Sequence, residues 1–144
     1  MQENAGWIVL YGIGSRYAYE VYETALRAQV QVAVFVDNLA TQGSYPGLAP
    51  VLSPADCTDE HKRYGAFIPL VTPGHRQRVL AELFEQGFIA GGSLIDPTAI
   101  LASSTRHGNG FQVNASVVIG ANCLFGDQVL INRSASIGHD AVVE

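Results

Sequence analysis

The sequence predicts a chain in two parts, an α/β unit over residues 1–93 and an all-β parallel solenoid over residues 94–144. Two observations predict it. From Ile95 onward, steps of six reach Leu101, His107, Val113, Ile119, Phe125, Ile131, Ile137 and Val143, so eight of nine positions are large and apolar. Before that, the order of patterns is a continuous apolar run, a glycine turn, a helix-spaced segment, a second apolar run and an acid, which is a βαβ unit.

In the first part, Trp7-Ile8-Val9-Leu10-Tyr11 reads as a strand buried on both faces of a parallel sheet. Met1 to Gly6 reads as a loose leader ahead of it. Gly12-Ile13-Gly14-Ser15 makes a tight turn, and Arg16 to Gln29 places Tyr19, Tyr22, Ala25 and Leu26 at helical spacing. Val30 to Val36 is the second strand, closed by Asp37-Asn38. Leu39 to Pro50 is rich in glycine, proline and small polar residues and reads as a loop that lines a site. Ser53-Pro54-Ala55-Asp56 opens a short helix with a Ser cap and Pro at its first position. Ala66 to Val71 is the third strand, and Thr72-Pro73 starts a helix with Val79, Leu80, Leu83 and Phe84 on one face. Gly91-Gly92 is the expected hinge, with the boundary there.

In the second part, the residue two before each apolar position is small or β-branched in most steps, as at Ala99, Val117, Cys123 and Ala135. Strand side chains alternate faces, so both positions point inward. The residue after each apolar position is Asp96, Ala102, Gly108, Asn114, Gly120, Gly126, Asn132, Gly138 or Glu144, mostly types that suit left-handed turn backbone. Short strands with one buried face, each ended by a turn, stack as a parallel β-helix.

Composition narrows the function. Hydrophobic residues make up 48% and charged residues 15%, a packed globular balance. The net charge is −5, without a basic patch in either part, so nucleic acid is excluded as a partner class. Cys57 and Cys123 have no metal-ligand spacing, and Cys123 reads as a small core residue. No apolar run reaches the roughly 18 residues of a membrane span, and no signal peptide opens the chain. A cytoplasmic enzyme or binding protein is the expectation.

The turn Gly12-x-Gly14 with Asp37 after the second strand is part of a nucleotide-binding fingerprint, in which Tyr17 replaces the third glycine. Glycines let the backbone approach a phosphate, and a helix N-terminus stabilises its charge. A plain strand-to-helix turn satisfies the same residues. Arg16 can pair with a phosphate or carboxylate, or stand as an exposed helix charge.

Histidine, with a side-chain pKa near neutrality, suits the task of a general base, and the sequence offers four. His61 lies in the charged run Asp59 to Arg63 and reads as solvated; His75 opens a helix and could line a pocket. His107 takes an inward position and reads as half-buried in the first coil. His139 follows a turn glycine and projects outward at a corner, beside Asp140. Asn114, Asn132 and Arg133 read as an asparagine ladder and an exposed charge, with a site-lining role open for Asn132.

The repeats resemble those of the hexapeptide-repeat acyltransferases, which build a left-handed β-helix from three hexapeptides per coil. The stretch Ile131-Asn132-Arg133-Ser134-Ala135-Ser136-Ile137-Gly138-His139-Asp140 is similar to the catalytic segment of one branch. That branch contains the sialic acid O-acetyltransferases and bacillosamine N-acetyltransferases, which begin with a small Rossmann-like nucleotide-sugar-binding domain. The resemblance implies transfer of an acetyl group from acetyl-CoA to an amine or hydroxyl of a nucleotide-sugar, in surface-glycan biosynthesis and without a metal. It implies His139 as general base with Asp140 beside it, acting directly on the ring or through its field. Gly12, Gly14, Ser15, Arg16 and Asp37 would hold the nucleotide-sugar, although the family's Gly-His-Gly is here Ser15-Arg16-Tyr17. It also implies a homotrimer, with His139 facing a neighbouring subunit. Comparable transferases carry further coils that hold most of the acetyl-CoA groove, so a C-terminally truncated form is expected. A non-catalytic nucleotide-sugar-binding module is the alternative, and an NAD-dependent oxidoreductase, resting on the glycine turn and Asp37, a distant third.

Overall fold

The computed structural model of the chain describes residues 6–40 and 49–144. The expected leader, at residues 1–5, and most of the expected site-lining loop, at residues 41–48, lie outside the described residues.

The first part is a five-stranded sheet of β1 (Trp7–Tyr11), β2 (Gln31–Val36), β3 (Val51–Leu52), β4 (Gly65–Phe67) and β5 (Ile89–Ala90). All neighbours are parallel, in the order β3-β2-β1-β4-β5. Between them lie α1 (Tyr17–Arg27), α2 (Asp59–Arg63) and α3 (Pro73–Glu85). The apolar run of β1 is buried on both sides as its sequence requires. Ile8 and Leu10 pack with Ala18, Val21 and Ala25 of α1, whereas Val9 and Tyr11 pack with Val79 and Leu83 of α3.

Several local readings shift. On α1 the buried face is Ala18, Val21, Thr24 and Ala25, while Tyr19 and Leu26 are exposed. The smaller side chains win the interior because they let the helix lie closer to the sheet. On α3, Val79 and Leu83 are buried as read, Phe84 is exposed, and the charged Arg76 is buried in its place. The third strand stops at Phe67, because the Ile68 and Leu70 carbonyls accept hydrogen bonds from the Arg76 guanidinium instead of a strand. The short helix expected from Ser53 divides in two. A single 3-10 turn, Pro54–Asp56, is capped by Ser53, and α2 follows under its own capping box of Thr58 and His61. His61 is therefore a helix cap as well as a surface residue.

The second part contains β6 (Ser93–Ile95), β7 (Ile100–Leu101), β8 (Arg106–His107), β9 (Phe111–Val113), β10 (Val118–Ile119), β11 (Leu124–Phe125), β12 (Leu130–Ile131), β13 (Ser136–Ile137) and β14 (Val142–Val143). They form three parallel three-stranded sheets, β6-β9-β12, β7-β10-β13 and β8-β11-β14. Paired residues, such as Ile100, Val118 and Ser136, are 18 apart in sequence, so three hexapeptides make one coil. Both inward positions of each repeat fill the core: Val117, Ile119, Cys123, Phe125, Val129 and Ile131 are buried. Each such apolar side chain contributes roughly 1.5–3 kcal/mol.

The turns differ from the reading. Left-handed backbone falls at Gly110, Ser116, Asn122, Gln128, Ser134 and Asp140, two residues beyond the expected positions. Of the glycines after the apolar positions, Gly108 and Gly120 serve close approach instead. A Cβ on Gly108 would sit 2.8 Å from the Asp127 amide nitrogen of the next coil. His107 also departs from expectation: it is exposed at the foot of the stack, its ring lying on Phe111 at 4.7 Å. No coil lies below it among the described residues to enclose its inward face.

The two parts are joined tightly through β6-β9-β12. Leu94 enters the α1 core, and Gln112 donates from Nε2 to the Ile68 carbonyl. The fully buried Asp96 accepts from Arg27 Nε at 2.6 Å, Thr24 Oγ1 at 3.2 Å, and the Thr98 amide and hydroxyl. Gly91, read as a hinge, is clamped: its amide donates to Ala66, its carbonyl accepts from Gly110, and a Cβ there would meet the Phe67 ring at 2.4 Å.

Candidate active site

The C-terminal ends of β1 and β2 bring together the residues expected to hold a nucleotide-sugar. Tyr11 pairs with Val36, and the Gly12 amide donates to the Val36 carbonyl, so Gly12 and Asp37 emerge side by side. Gly12 has a φ of 89°, and a Cβ would press on Val79 at 3.1 Å, which gives this glycine two physical reasons. Gly14 is exposed, and Ser15 Oγ accepts from the Tyr17 amide at the start of α1. Arg16 is exposed at the N-cap of that helix. Asp37 is buried and its Oδ1 accepts from the Leu39 amide, turning the chain away from β2.

Two neighbours of this edge make contacts that the sequence did not show, and the first, Glu82, carried no signal there at all. Glu82 of α3 receives Tyr11 Oη at 2.8 Å and Asn38 Nδ2 at 3.0 Å. Burial, and then this carboxylate, push the Tyr11 phenol far above its ordinary range, so it remains a donor. Tyr17, standing where the fingerprint has its third glycine, reaches the solenoid, and its hydroxyl accepts from Asn114 Nδ2. Burial raises the Tyr17 phenol while the Asn114 bond opposes the rise. Asn114 in turn donates to Asn132 Oδ1 at 3.3 Å, the ladder expected between coils. Tyr17, Glu20, Val71, Asn114, Asn132 and Arg133 enclose a cavity of about 150 Å³. Glu20 and Arg133 pair across it at 3.0 Å.

A larger cleft of about 560 Å³ opens between α3 and the solenoid, lined by Arg76, Leu80, Gln128 and Leu130 among others. Arg76 is buried in its wall and donates to three carbonyls, of Ile68, Leu70 and Gln128. Burial pulls its guanidinium below the usual value, and among the described residues no carboxylate pairs with it. His75 is exposed and lines neither cavity.

His139 and Asp140 lie elsewhere. They form the turn between β13 and β14, the edge of the solenoid that β6-β9-β12 does not share. Asp140 has a φ of 60°, so the two side chains do not alternate as strand neighbours would; they converge. His139 Nδ1 lies 2.6 Å from Asp140 Oδ2. An ionised carboxylate only accepts, so Nδ1 facing it carries a proton, and in the neutral imidazole Nε2 then keeps the lone pair. Nε2 has no hydrogen-bond partner among the described residues, and the two side chains are 81% and 64% exposed. The arrangement is chemically that of an oriented base open to solvent. Within one chain it does not meet the glycine turn, because the solenoid stands between them.

A three-sided solenoid of hexapeptides bearing an outward histidine–carboxylate turn, behind a parallel α/β sheet, defines the class of protein with which the chain compares. No family model matches the sequence, and no curated protein matches it either. Among the solved structures it is similar to are a GDP-perosamine N-acetyltransferase and the acetyltransferase domain of PglB. PerB from Caulobacter crescentus, in complex with CoA and GDP-perosamine, superposes with a TM-score of 0.78 at 26% identity. That match covers 96% of this chain and 65% of PerB, so the chain spans somewhat less than two thirds of its neighbour. A histidine-to-asparagine variant of the same perosamine N-acetyltransferase, again with CoA and GDP-perosamine, gives 0.79 over the same shares at 26% identity. The acetyltransferase domain of PglB from Neisseria gonorrhoeae, with acetyl coenzyme A, also gives 0.79. It is 24% identical, over 95% of this chain and 66% of that one, and speaks for the fold.

Proposed function

We propose that the chain carries the sugar-binding and base-bearing parts of an acetyl-CoA-dependent sugar acetyltransferase. In this reading residues 1–93 form a Rossmann-like domain that holds a nucleotide-sugar by Gly12, Gly14, Ser15, Arg16 and Asp37. Residues 94–144 form a left-handed β-helix that presents the base. The observation that carries the proposal is the 2.6 Å contact of His139 Nδ1 with Asp140 on an outward turn. It is joined by strand order β3-β2-β1-β4-β5, whose C-terminal edge is where nucleotides bind in open α/β sheets.

The chemistry follows. Nε2 of His139 takes a proton from the acceptor amine or hydroxyl as that atom attacks the thioester carbonyl. Asp140 holds the ring in the productive tautomer and stabilises the imidazolium that forms. CoA leaves as the thiol, taking the proton back from the imidazolium, and the similarity to the GDP-perosamine N-acetyltransferase PerB favours an amine acceptor. Because His139 stands on the edge away from the glycine turn, the base acts on sugar held by another copy of the chain, as expected for a trimer packed around its solenoids. The exposed Ile100, Val118, Leu124 and Val142 on the two faces flanking His139 suit such packing.

The test is release of CoA thiol from acetyl-CoA in the presence of GDP-perosamine or UDP-linked amino sugars, followed beside His139→Ala. Turnover that falls by about 10²–10⁴ in the variant supports the base. Unchanged turnover removes His139 from the mechanism. Calorimetric binding of the nucleotide-sugar without binding of acetyl-CoA would turn the proposal toward a non-catalytic module.

A further inference from the structure

We infer that Gly120, one coil below, is a positioning residue that sets where His139 stands, with Cys123 as its auxiliary. The inference rests on His139 being the base and concerns what holds it. An 81% exposed histidine on a two-residue turn has few contacts of its own, so its backbone must be placed from beneath.

The corner below does this with three bonds and one close approach. The Gly120 amide donates to the Ile137 carbonyl at 2.9 Å, and the Ala121 carbonyl accepts from the Asp140 amide at 2.8 Å. Cys123, buried in the core, directs its thiol at the Gly138 carbonyl, with sulfur to oxygen 3.1 Å. These bonds fix residues 137, 138 and 140, on either side of the base. The close approach is at Gly120: a Cβ there would lie 2.8 Å from the His139 amide nitrogen, 3.1 Å from the Gly138 carbonyl carbon and 3.2 Å from the His139 Cα. All three are backbone atoms, so no rotamer relieves the contact. The φ of Gly120 is not among the positive values, which leaves closeness and not backbone freedom as the reason for glycine.

The same register position one corner on provides a control. At Gly126 a Cβ would meet the neighbouring coil at 3.5 Å, ordinary contact. A methyl at Gly120 must therefore push the His139 backbone outward by about 0.6 Å, the gap between 2.8 and 3.4 Å, whereas one at Gly126 moves nothing. Displacements of this order cost up to about 10²-fold when the moved group must meet a reacting atom.

Three variants test the inference, Gly120→Ala, Gly126→Ala and Cys123→Val, each checked for folding by circular dichroism. Valine already occupies the equivalent inward positions Val117 and Val129, so Cys123→Val removes the thiol donor and keeps the core filled. With acetyl-CoA and GDP-perosamine, Gly120→Ala is expected to lose at least tenfold in kcat with both KM values within twofold, while Gly126→Ala matches wild type. Nitrogen NMR of the His139 ring, on the chain without substrate, is expected to show the Nδ1–H tautomer in wild type and Gly126→Ala and a mixture in Gly120→Ala. Cys123→Val should fall several-fold in kcat. If Gly120→Ala does not fold, Cys123→Val carries the test, and a wild-type tautomer and kcat in it would overturn the inference. Equal behaviour of Gly120→Ala and Gly126→Ala overturns it too. Full turnover in His139→Ala is a different result: it sinks the base assignment itself, whatever Gly120 does.

Discussion

Asp96→Ala should loosen the join between the two parts of the chain more than any single change on the solenoid surface. The carboxylate is fully buried, and four donors converge on it, from Thr24, Arg27 and twice from Thr98. Truncation leaves the Thr24 hydroxyl, which is 2% exposed, without its partner at a cost of about 1–3 kcal/mol. Breaking a wholly buried ion pair costs about 3–5 kcal/mol, but the Arg27 side chain is 38% exposed and can return to water. The net expectation is a loss of about 3 kcal/mol, near 10 °C in Tm for a chain of this size. Urea unfolding with linear extrapolation measures it.

The pH dependence supplies an independent check on Asp96. Burial by itself would raise this carboxyl, but the Thr98 donors and Arg27 outweigh burial and hold it below the ordinary carboxylate range. A depressed folded-state value stabilises the protein above the unfolded value of about 3.9, and that stability is lost as pH falls through the lower, folded value. Wild type should therefore lose this contribution only below about pH 4, and Asp96→Asn should lack that part of the acid slope. A variant within 0.5 kcal/mol of wild type, taken as about the noise of surface changes, would refute the reasoning. So would identical acid slopes.

Two further outcomes follow from the same geometry. Gly91→Ala places a methyl 2.4 Å from the Phe67 ring and should destabilise by about 1–3 kcal/mol, read as a lower urea midpoint with unchanged slope. Arg76→Met removes three donors from the wall of the larger cleft and should cost about 2–4 kcal/mol by the same titration. A neutral result there would mean that water satisfies those carbonyls.

How much of this was legible depends on the range of the physics involved. The six-residue beat is a local pattern repeated many times, so the inward columns at Val117, Cys123 and Ile131 could be read from spacing alone. The continuous apolar run of Trp7–Tyr11 likewise showed a strand covered on both faces. The two-residue strands Val51–Leu52 and Ile89–Ala90 have no room for periodicity, and they went unread because partners distant in sequence make them. Arg76 and Asp96 were missed for a related reason. A buried charge is tolerated only by acceptors or donors far along the chain, such as Gln128 for one and Arg27 for the other. For the site, His139 and Asp140 were named from their resemblance to a family, and their direct contact depends on left-handed backbone at Asp140. Gly120 was seen as a turn glycine, but its role lies in an approach between residues 19 positions apart, which no window of sequence displays.

The repeat of 18 residues also decides which changes of length the chain can absorb. The Ser116 amide bonds Thr98 Oγ1 and the Asn122 amide bonds Ser104 Oγ, each across one full coil. Loss of a single residue between them turns every later inward side chain outward and breaks each of these ladders at once. Removal of 18 consecutive residues restores every phase. In-frame variation in this part of the chain is therefore expected in whole coils, with single-codon insertions and deletions tolerated only at its ends.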